Sequence, residues 1–385
     1  MSQRLTALCA RITEAGMDAA LLLHPRDVLY YAGTARPAVL LVAPHDAVLL
    51  VRRGFEYARR EATIVRVEPM SGLARVAEVA AELGLSGGVL GIELDVVPAR
   101  IYRRLAEVFP GWELADISPL VLAQRAVKDE GEIAATRQAA VVADAGHEIV
   151  PQVARAGMSE LALAAEVEAA MRRAGHEGYQ PLRHPGARGG GVLLMSGENL
   201  TVRGGHGLVV TGAGLSPASP YGASRRVLRP GDLVVVDIGS TCGGYTADES
   251  RTFVVGQATE QQRALFAVAR TVEEAVLGML RPGVAVADLY ALAEAVVNQG
   301  APPYFAPGSL ALPGFVGHGV GLELDEPPIL WPRDEARVQA EMVLAIEVEV
   351  SAPAHGAMVK LEDTVVVRSD GCEMLTAAPR ELIIC

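Results

Sequence analysis

Two carboxylates on neighbouring apolar stretches constrain the fold of this chain more than any other feature. Residues 232–239 read DLVVVDIG, and this β-branched run around Asp237 predicts a buried strand. Residues 243–253, GGYTADESRTF, predict a returning strand that carries Asp248. Two aspartates in an apolar setting raise each other's pKa, so they need a neutralising group. A metal ion is the simplest such group, and its other ligands should lie elsewhere in the chain.

The length and charge of the chain limit its class. Its 385 residues, of which 50% are hydrophobic, are sufficient for two domains with separate cores. The net charge of −12 and the pI near 5.2 argue against a nucleic-acid partner and favour an enzyme or a binding protein. No apolar run approaches the roughly 18 residues that span a bilayer, and the N-terminus lacks a signal-peptide pattern. We therefore expect a cytoplasmic protein without a membrane partner.

Alternating strand and helix patterns predict an α/β domain at the N-terminus. Apolar runs at residues 19–23, 38–42 and 47–51 predict strands, and the segment HPRD at 24–27 predicts a turn after the first of them. Helical and strand patterns continue to residue 108. These elements together make a domain of ordinary size.

A second domain is predicted to begin near Val127, which divides the chain into residues 1–126 and 127–385. Two segments of this second domain, 154–175 and 280–300, resemble each other. Each reads as a helix end, a turn with glycine and an amphipathic helix. We therefore predict a duplicated supersecondary unit.

Each copy of the unit is followed by a pair of predicted strands that carry carboxylates. Within residues 341–350 the two-residue period places Glu347 and Glu349 on one face. Within residues 358–367 one face carries three polar side chains, Lys360, Glu362 and Thr364. The second pair mirrors the first, so Glu347 and Glu362 should meet the two aspartates at the seam between the copies.

A histidine completes this set of acidic groups. Residues 317–322 read GHGVGL, so His318 lies between glycines, where the backbone can approach another strand or an ion closely. Alone, such a histidine is usually structural. Beside four strand-borne carboxylates it becomes a candidate nitrogen ligand.

These motifs resemble the creatinase, aminopeptidase P and prolidase group of pita-bread metalloenzymes over nearly the whole chain. The matching segments are DIG at 237–239, TAD at 246–248, GHGVGL at 317–322, AIE at 345–347 and KLEDT at 360–364. The resemblance implies an α+β chain. A creatinase-type N-terminal α/β domain would precede a pita-bread catalytic domain with a pseudo-twofold repeat.

The resemblance also implies a dinuclear metal centre and a chemistry. The implied ligands of two divalent ions, which would be Mn, Fe, Zn or Co, are Asp237, Asp248, His318, Glu347 and Glu362. Glu347 would also be a catalytic residue. A metal-activated water would attack a short-peptide or small-molecule substrate, and the protein would be a homodimer.

The chain departs from the peptidases of this family at three places where they carry histidines. Tyr221 stands in the first place and Gly314 in the second, and residues 324–326, Leu-Asp-Glu, replace the third. Imidazole suits proton transfer near neutral pH, whereas tyrosine and aspartate titrate far from it. We hypothesise that Tyr221 and Asp325 form a new acid/base pair for another substrate.

Further candidates for substrate binding lie before the first metal strand. His184, His206 and Arg203 flank a glycine-rich segment at 186–191, which lacks a phosphate-loop motif and is predicted to be a lid. For each of these three residues the alternative interpretation is an ordinary loop residue without a role in binding.

Three classes of function follow. The first is a metallohydrolase that cleaves a C–N bond, as Xaa-Pro peptidases do. The second is a non-peptidase enzyme of the same fold, either a creatinase-like hydrolase or a lyase of the dimethylsulfoniopropionate-cleaving type. The third is a non-catalytic binding protein, which the retention of all five candidate ligands disfavours.

Overall fold

The computed structural model describes residues 2–183, 192–205 and 209–385. The chain divides into two compact units. The first comprises Met1–Arg125 and Arg183–Pro185, and the second comprises Ala126–Leu182 and Gly186–Cys385. The limits 1–126 and 127–385 remain our proposal for the two domains.

The elements of the first unit alternate between helix and strand. They are α1 (Gln3–Glu14), β1 (Ala19–Leu22), α2 (Pro25–Ala32), β2 (Ala38–Val42), β3 (Ala47–Val51), α3 (Phe55–Glu61), β4 (Arg66–Pro69), α4 (Leu73–Glu82), β5 (Gly88–Ile92), α5 (Ala99–Val108), β6 (Trp112–Asp116) and α6 (Ser118–Ala126), which ends one residue beyond the unit. The six-stranded sheet has the order β4-β3-β2-β1-β5-β6. The strands β1, β2 and β3 pair antiparallel, and the other pairs are parallel.

The strand predictions for this unit are confirmed, but one turn prediction is wrong. The runs at 19–23, 38–42 and 47–51 form β1, β2 and β3. The segment 24–27 begins α2 instead of forming a turn, because Pro25 lies in the first turn of the helix. Proline suits that position, since its missing N–H would have no helical partner there.

Glu93 is a fully buried carboxylate that follows β5. It accepts hydrogen bonds from the backbone N–H groups of Leu23 and His24. Burial, together with the Asp27 carboxylate, raises the pKa of Glu93 from 4.5 to about 8. Burial also lowers the pKa of His24 from 6.5 to about 4. Both groups are therefore neutral in the folded protein at pH 6.5.

We expect wild type to lose stability relative to a Glu93→Gln variant as the pH rises from 6.5 to 8. Unfolded Glu93, with a pKa near 4.5, is already ionised there, whereas folded Glu93 must give up its proton as the pH approaches 8. His24 is present in both proteins, so the proton that it binds in the unfolded state near pH 6.5 contributes equally to both and does not affect the comparison. Urea unfolding at both pH values measures the difference. Equal pH dependence of the two proteins would contradict the assignment.

The second unit contains the duplicated pattern. Its elements are α7 (Glu130–Val153), α8 (Glu160–Arg173), β7 (Leu193–Ser196), β8 (Leu233–Cys242), β9 (Tyr245–Val254), α9 (Glu260–Met279), α10 (Val286–Val297), β10 (Gly317–Gly319), β11 (Glu326–Ile329), β12 (Val343–Ala352), β13 (Ala357–Arg368), β14 (Gly371–Met374) and β15 (Ile383–Ile384), with 3₁₀ turns at Gly197–Thr201 and Pro353–His355. The main sheet has the order β11-β10-β12-β13-β9-β8-β7. Its two long hairpins, β8–β9 and β12–β13, therefore lie side by side at the centre.

Each hairpin packs one face against its own pair of helices. Val234, Val236 and Ile238 of β8 belong to an apolar core with α7 and α8. Ile346 and Val348 of β12 belong to a core with α9 and α10. The alternating side chains of these strands therefore point to the opposite side of the sheet, as a two-residue period requires. Because the helices cover one side of the sheet, a polar site can form on the other side.

The helix ends in this unit follow capping rules. Thr259 and Gln262 form a capping box at the start of α9, and Asp129 and Glu132 form another at the start of α7. Of the helices in the described ranges, none has the length and apolarity needed to cross a membrane.

Candidate metal centre

The register of the first hairpin places Asp237 and Asp248 on one face of the sheet. Asp248 of β9 pairs with Gly239 of β8, which is two residues beyond Asp237. Residues two apart on a strand share a face, so the two aspartates are diagonal neighbours rather than direct partners. Thr364 holds the backbone of Asp248, because its hydroxyl donates to the Asp248 carbonyl and accepts from the Asp248 N–H.

The second hairpin brings two glutamates to the same place. Glu347 of β12 pairs directly with Glu362 of β13, and Glu362 also pairs with Ser250 of β9. The Ser250 hydroxyl donates to Glu362 Oε2 at 2.7 Å. The four carboxylates, which are all buried, therefore gather where the hairpins meet, as the sequence predicted.

Glycines on both sides allow His318 to reach the carboxylates. The strand β10 lies between β11 and β12, and His318 pairs with Ala345. A Cβ atom on Gly317 would lie 2.2 Å from the Ala345 carbonyl oxygen, and one on Gly319 would lie 2.6 Å from the Pro327 carbonyl oxygen. Any larger residue would push β10 away from its neighbours.

The Nε2 atom of His318 faces oxygen atoms of three carboxylates. It lies 3.7 Å from Asp248 Oδ2, 3.8 Å from Glu347 Oε2 and 3.9 Å from Glu362 Oε1. Ligand atoms that bond one ion at about 2.1 Å lie up to about 4.2 Å apart, so these distances suit a shared ion. Asp248 Oδ1 and Glu362 Oε1 are buried and have no hydrogen-bond partner among the described residues, although buried polar atoms normally have one.

Electrostatics also favours a cation at this place. Burial raises the pKa of Asp248 well above its usual value, and the Glu362 and Asp237 carboxylates add to the effect. Burial raises the pKa of Glu362 to about 8 and also raises the pKa of Glu347. Burial opposes a charge on His318, but the carboxylates around it outweigh this and raise its pKa. A divalent ion would supply the missing positive charge, so Asp248, His318 and Glu362 fit one.

A second set of three oxygen ligands, from Asp237, Glu347 and Glu362, lies beside the first. In this set a cation is already present. The Lys360 ammonium lies 2.6 Å from Asp237 Oδ2, 2.6 Å from Glu347 Oε1 and 3.3 Å from Glu362 Oε2. The strand period predicted that Lys360 lies on the same face as Glu362, but the sequence analysis gave Lys360 no role in the site. The two-residue spacing between Lys360 and Glu362 is the feature that indicates such a role.

The other predicted site residues lie around this centre or outside the described ranges. Asp325 is exposed, and its Oδ1 lies 3.5 Å from His318 Nδ1, on the opposite side of the ring from Nε2. Tyr221 is half-buried on the irregular segment before β8. Arg203 lies 3.4 Å from the buried carboxylate of Glu349, which also accepts from the Val210 N–H. Three predictions concern residues outside the described ranges, namely His184, His206 and the lid at 186–191.

The buried carboxylates and the single histidine on the two duplicated hairpins form a site of the kind that hydrolases have. The centre therefore indicates this class of protein. The family comparison agrees with it. Residues 134–369 match the model of metallopeptidase family M24, and residues 4–127 match the creatinase/prolidase N-terminal domain. The first match covers more than half of the chain, which belongs to metallopeptidase family M24. The chain is a metallohydrolase of this family, so the predicted family, fold class and enzyme class are confirmed.

Similar proteins extend over the whole chain. An Xaa-Pro dipeptidase of Pyrococcus furiosus is 26% identical over 390 residues, which cover 100% of both chains. The uncharacterized peptidase YqhT of Bacillus subtilis is 27% identical over 374 residues, which cover 96% of both chains. A solved structure of an Xaa-Pro dipeptidase from Bacillus anthracis has a TM-score of 0.84 and 26% identity, and the match covers 100% of this chain and 99% of that one.

Proposed function

We propose that this protein hydrolyses a C–N bond of a short peptide or small molecule with a metal-activated water. The arrangement around His318 Nε2 is the observation that carries this proposal. Three carboxylate oxygens lie within 3.9 Å of that atom, and two buried carboxylate oxygens of the set have no hydrogen-bond partner. Buried carboxylates of this kind either take up a proton or pair with a cation, and a divalent ion would satisfy several of them at once.

Each residue of the centre has a proposed role in the reaction. Asp248, His318 and Glu362 hold the ion. An ion held there would polarise the scissile carbonyl and lower the pKa of water towards 7. Glu347 turns Oε2 towards His318, where it would accept a proton from water, and Glu362 joins the two hairpins through its contact with Ser250. Arg203, at the edge of the same face, is proposed to contact the substrate.

The relatives point to a class of substrate. Two of those described above are Xaa-Pro dipeptidases, so we propose that a dipeptide with C-terminal proline is the first substrate to test. Purified protein is assayed with an Xaa-Pro dipeptide and with a longer Xaa-Pro peptide, and its metal content is measured in parallel. Turnover of either peptide supports the peptidase function. A metal-loaded protein that cleaves neither would contradict it and leave the metal centre standing.

A second function is favoured by the replaced histidines. Tyr221, Gly314 and Asp325 stand where related peptidases use imidazole groups, which suggests a non-peptidase reaction. A creatinase-like hydrolase or a lyase of the dimethylsulfoniopropionate type would then use Tyr221 and Asp325 as acid and base. Turnover of a creatine-like or sulfonium substrate, without peptide cleavage, would favour this function.

A Tyr221→Phe variant tests the proposed acid directly. If the hydroxyl transfers a proton, removing it should lower kcat about 100-fold or more with little change in metal content. The measurement is steady-state kinetics on whichever substrate the wild type turns over. Unchanged kcat would remove Tyr221 from the chemistry.

For Asp325 the geometry favours a positioning role over the acid/base role predicted from the sequence. Its carboxylate lies beside Nδ1 of His318, whereas the three carboxylates of the centre face Nε2. Nδ1 forms a hydrogen bond with the Gly319 carbonyl oxygen at 3.1 Å, and the Asp325 carboxylate 3.5 Å from the same atom is proposed to help orient the ligating imidazole. An Asp325→Ala variant should bind metal roughly 10- to 100-fold more weakly. Asp325→Asn should recover part of this affinity, and an acid/base role would instead lower kcat at full metal occupancy.

Other sequence predictions remain part of this proposal. The choice of metal among Mn, Fe, Zn and Co, a homodimer and a cytoplasmic location follow from the resemblance and the composition, and the number of ions is measured by the metal content of the purified protein. Light scattering of the purified protein tests the dimer. The identity of the ion is tested by comparing the four metals in the metal-free protein.

A further inference from the structure

The centre is asymmetric, since its two halves differ in the cation that they hold. Around His318 Nε2, the oxygen atoms Asp248 Oδ1 and Glu362 Oε1 lack hydrogen-bond partners. On the other side, the Lys360 ammonium donates to Asp237 Oδ2 and lies within ion-pair distance of oxygen atoms of Glu347 and Glu362. Within the described ranges, one half contains the Lys360 ammonium, and the other half contains no lysine or arginine and only the imidazole of His318 beside its carboxylates.

The two glutamates divide their oxygen atoms between the halves. Glu362 turns its unpartnered Oε1 towards His318 and its Oε2 towards Ser250 and Lys360. Glu347 turns Oε2 towards His318 and Oε1 towards Lys360. An ion bound by Asp237, Glu347 and Glu362 would have to share these oxygen atoms with the ammonium.

We propose that the Lys360 ammonium takes the place of a second metal ion, so that each chain holds one divalent ion, at Asp248, His318 and Glu362. The inference rests on the proposed metal centre and changes its stoichiometry from the two ions that the resemblance implies. It assigns Lys360 as an internal cation that joins the two hairpins.

The structure holds the ammonium in this place. The Lys360 side chain is 3% exposed, so it has no route to water without a change in the strands. Its cross-strand partner Glu349 is the nearest other carboxylate in register, but Glu349 already accepts from the Val210 N–H and lies beside Arg203. Moving the ammonium from Asp237 to Glu349 would leave Asp237 buried without its cation. A divalent ion entering the second set would meet a like charge among its own ligands.

Lysine is rare in this chain, and one of its few lysines stands at this position. The chain has 34 lysine and arginine residues, and only Lys128 and Lys360 are lysines. A lysine ammonium is a compact point charge that three convergent oxygen atoms can surround, whereas the planar guanidinium of arginine suits bidentate pairs. An ammonium at the centre of three carboxylates stands in the position of a metal ion, at longer distances to the oxygen atoms than a metal would have.

Metal stoichiometry tests this inference. Metal-free protein is dialysed against excess Mn²⁺ and then against buffer, and the ion content per chain is measured by elemental analysis. The electron paramagnetic resonance spectrum is recorded on the same samples. We expect one ion per chain in wild type, with the spectrum of isolated Mn²⁺. A Lys360→Met variant, which removes the charge at similar volume, should bind two ions per chain with an exchange-coupled spectrum.

A matched variant separates this effect from the loss of any buried lysine. Lys128 is also buried, and it pairs with Glu326 away from both ligand sets. Lys128→Met should keep one ion per chain. Two coupled ions in wild type would overturn the role of Lys360 but support the proposed metal centre. Absence of any bound ion in wild type would overturn both. If Lys360→Met does not fold, the number of ions bound per wild-type chain alone decides whether the inference holds.

Discussion

An Asp248→Asn variant is expected to lose its bound metal and at least about 1,000-fold of its activity, since a bound ion supplies several kcal/mol of transition-state stabilisation. The substitution keeps the size of the side chain and removes one charged ligand beside His318 Nε2. Metal content by elemental analysis and kcat on the wild-type substrate are the two measurements. A metal-free variant with full activity would contradict the proposed chemistry.

The same variant has a signature in stability. Addition of metal at about 100 times its Kd should stabilise wild type by roughly 2.7 kcal/mol and should leave Asp248→Asn unchanged. Glu349→Gln is the matched control, because Glu349 is a buried carboxylate on the same strand face as Glu347 but belongs to neither ligand set. The control should retain both the metal and the stabilisation.

An Arg251→Met variant is expected to lose about 3 to 5 kcal/mol of unfolding free energy, which is the usual effect of removing one partner from a buried ion pair. Arg251 is fully buried and lies 2.6 Å from Asp363 Oδ1 and 2.8 Å from Glu249 Oε1. It also donates to the carbonyl oxygens of Ala378 and Glu362. Without it, the Glu249 carboxylate is left in an apolar interior, where burial already raises its pKa well above the usual value.

Urea unfolding of Arg251→Met at two pH values measures this loss. The deficit should grow with rising pH, because an unpaired buried glutamate is tolerated when protonated and becomes costly when ionised. Arg270→Met is the surface control. Arg270 and Glu274 form an exposed pair on α9, so its loss should change stability by less than about 1 kcal/mol. Similar effects of the two variants would contradict the role of Arg251.

Local patterns were sufficient to predict much of the fold. A β-branched apolar run predicted β8, and two-residue alternation predicted β12 and β13. The pattern failed at 24–27, where proline read as a turn signal but occupies the first turn of α2. A proline at this position is compatible with a turn and with the first turn of a helix. The packing of α2 within the first unit decides between the two.

The candidate site was predictable where residues lie on one strand face and less so elsewhere. The convergence of Asp237, Asp248, Glu347 and Glu362 follows from strand period and hairpin pairing. The side of His318 on which Asp325 lies depends on the path of the loop between β10 and β11, which no local period specifies. Lys360 was placed on the correct face, but which set of oxygen atoms its long side chain reaches required the side-by-side register of β13 and β9.

Anomalous diffraction from crystals of the Mn²⁺-loaded protein tests the central claim most directly. We expect a manganese peak within bonding distance of His318 Nε2, Asp248 and Glu362, since these residues form a buried set in which two carboxylate oxygens have no hydrogen-bond partner among the described residues. Data collected above and below the manganese edge identify the element. Absence of a peak at this place in metal-saturated, active crystals would contradict the account.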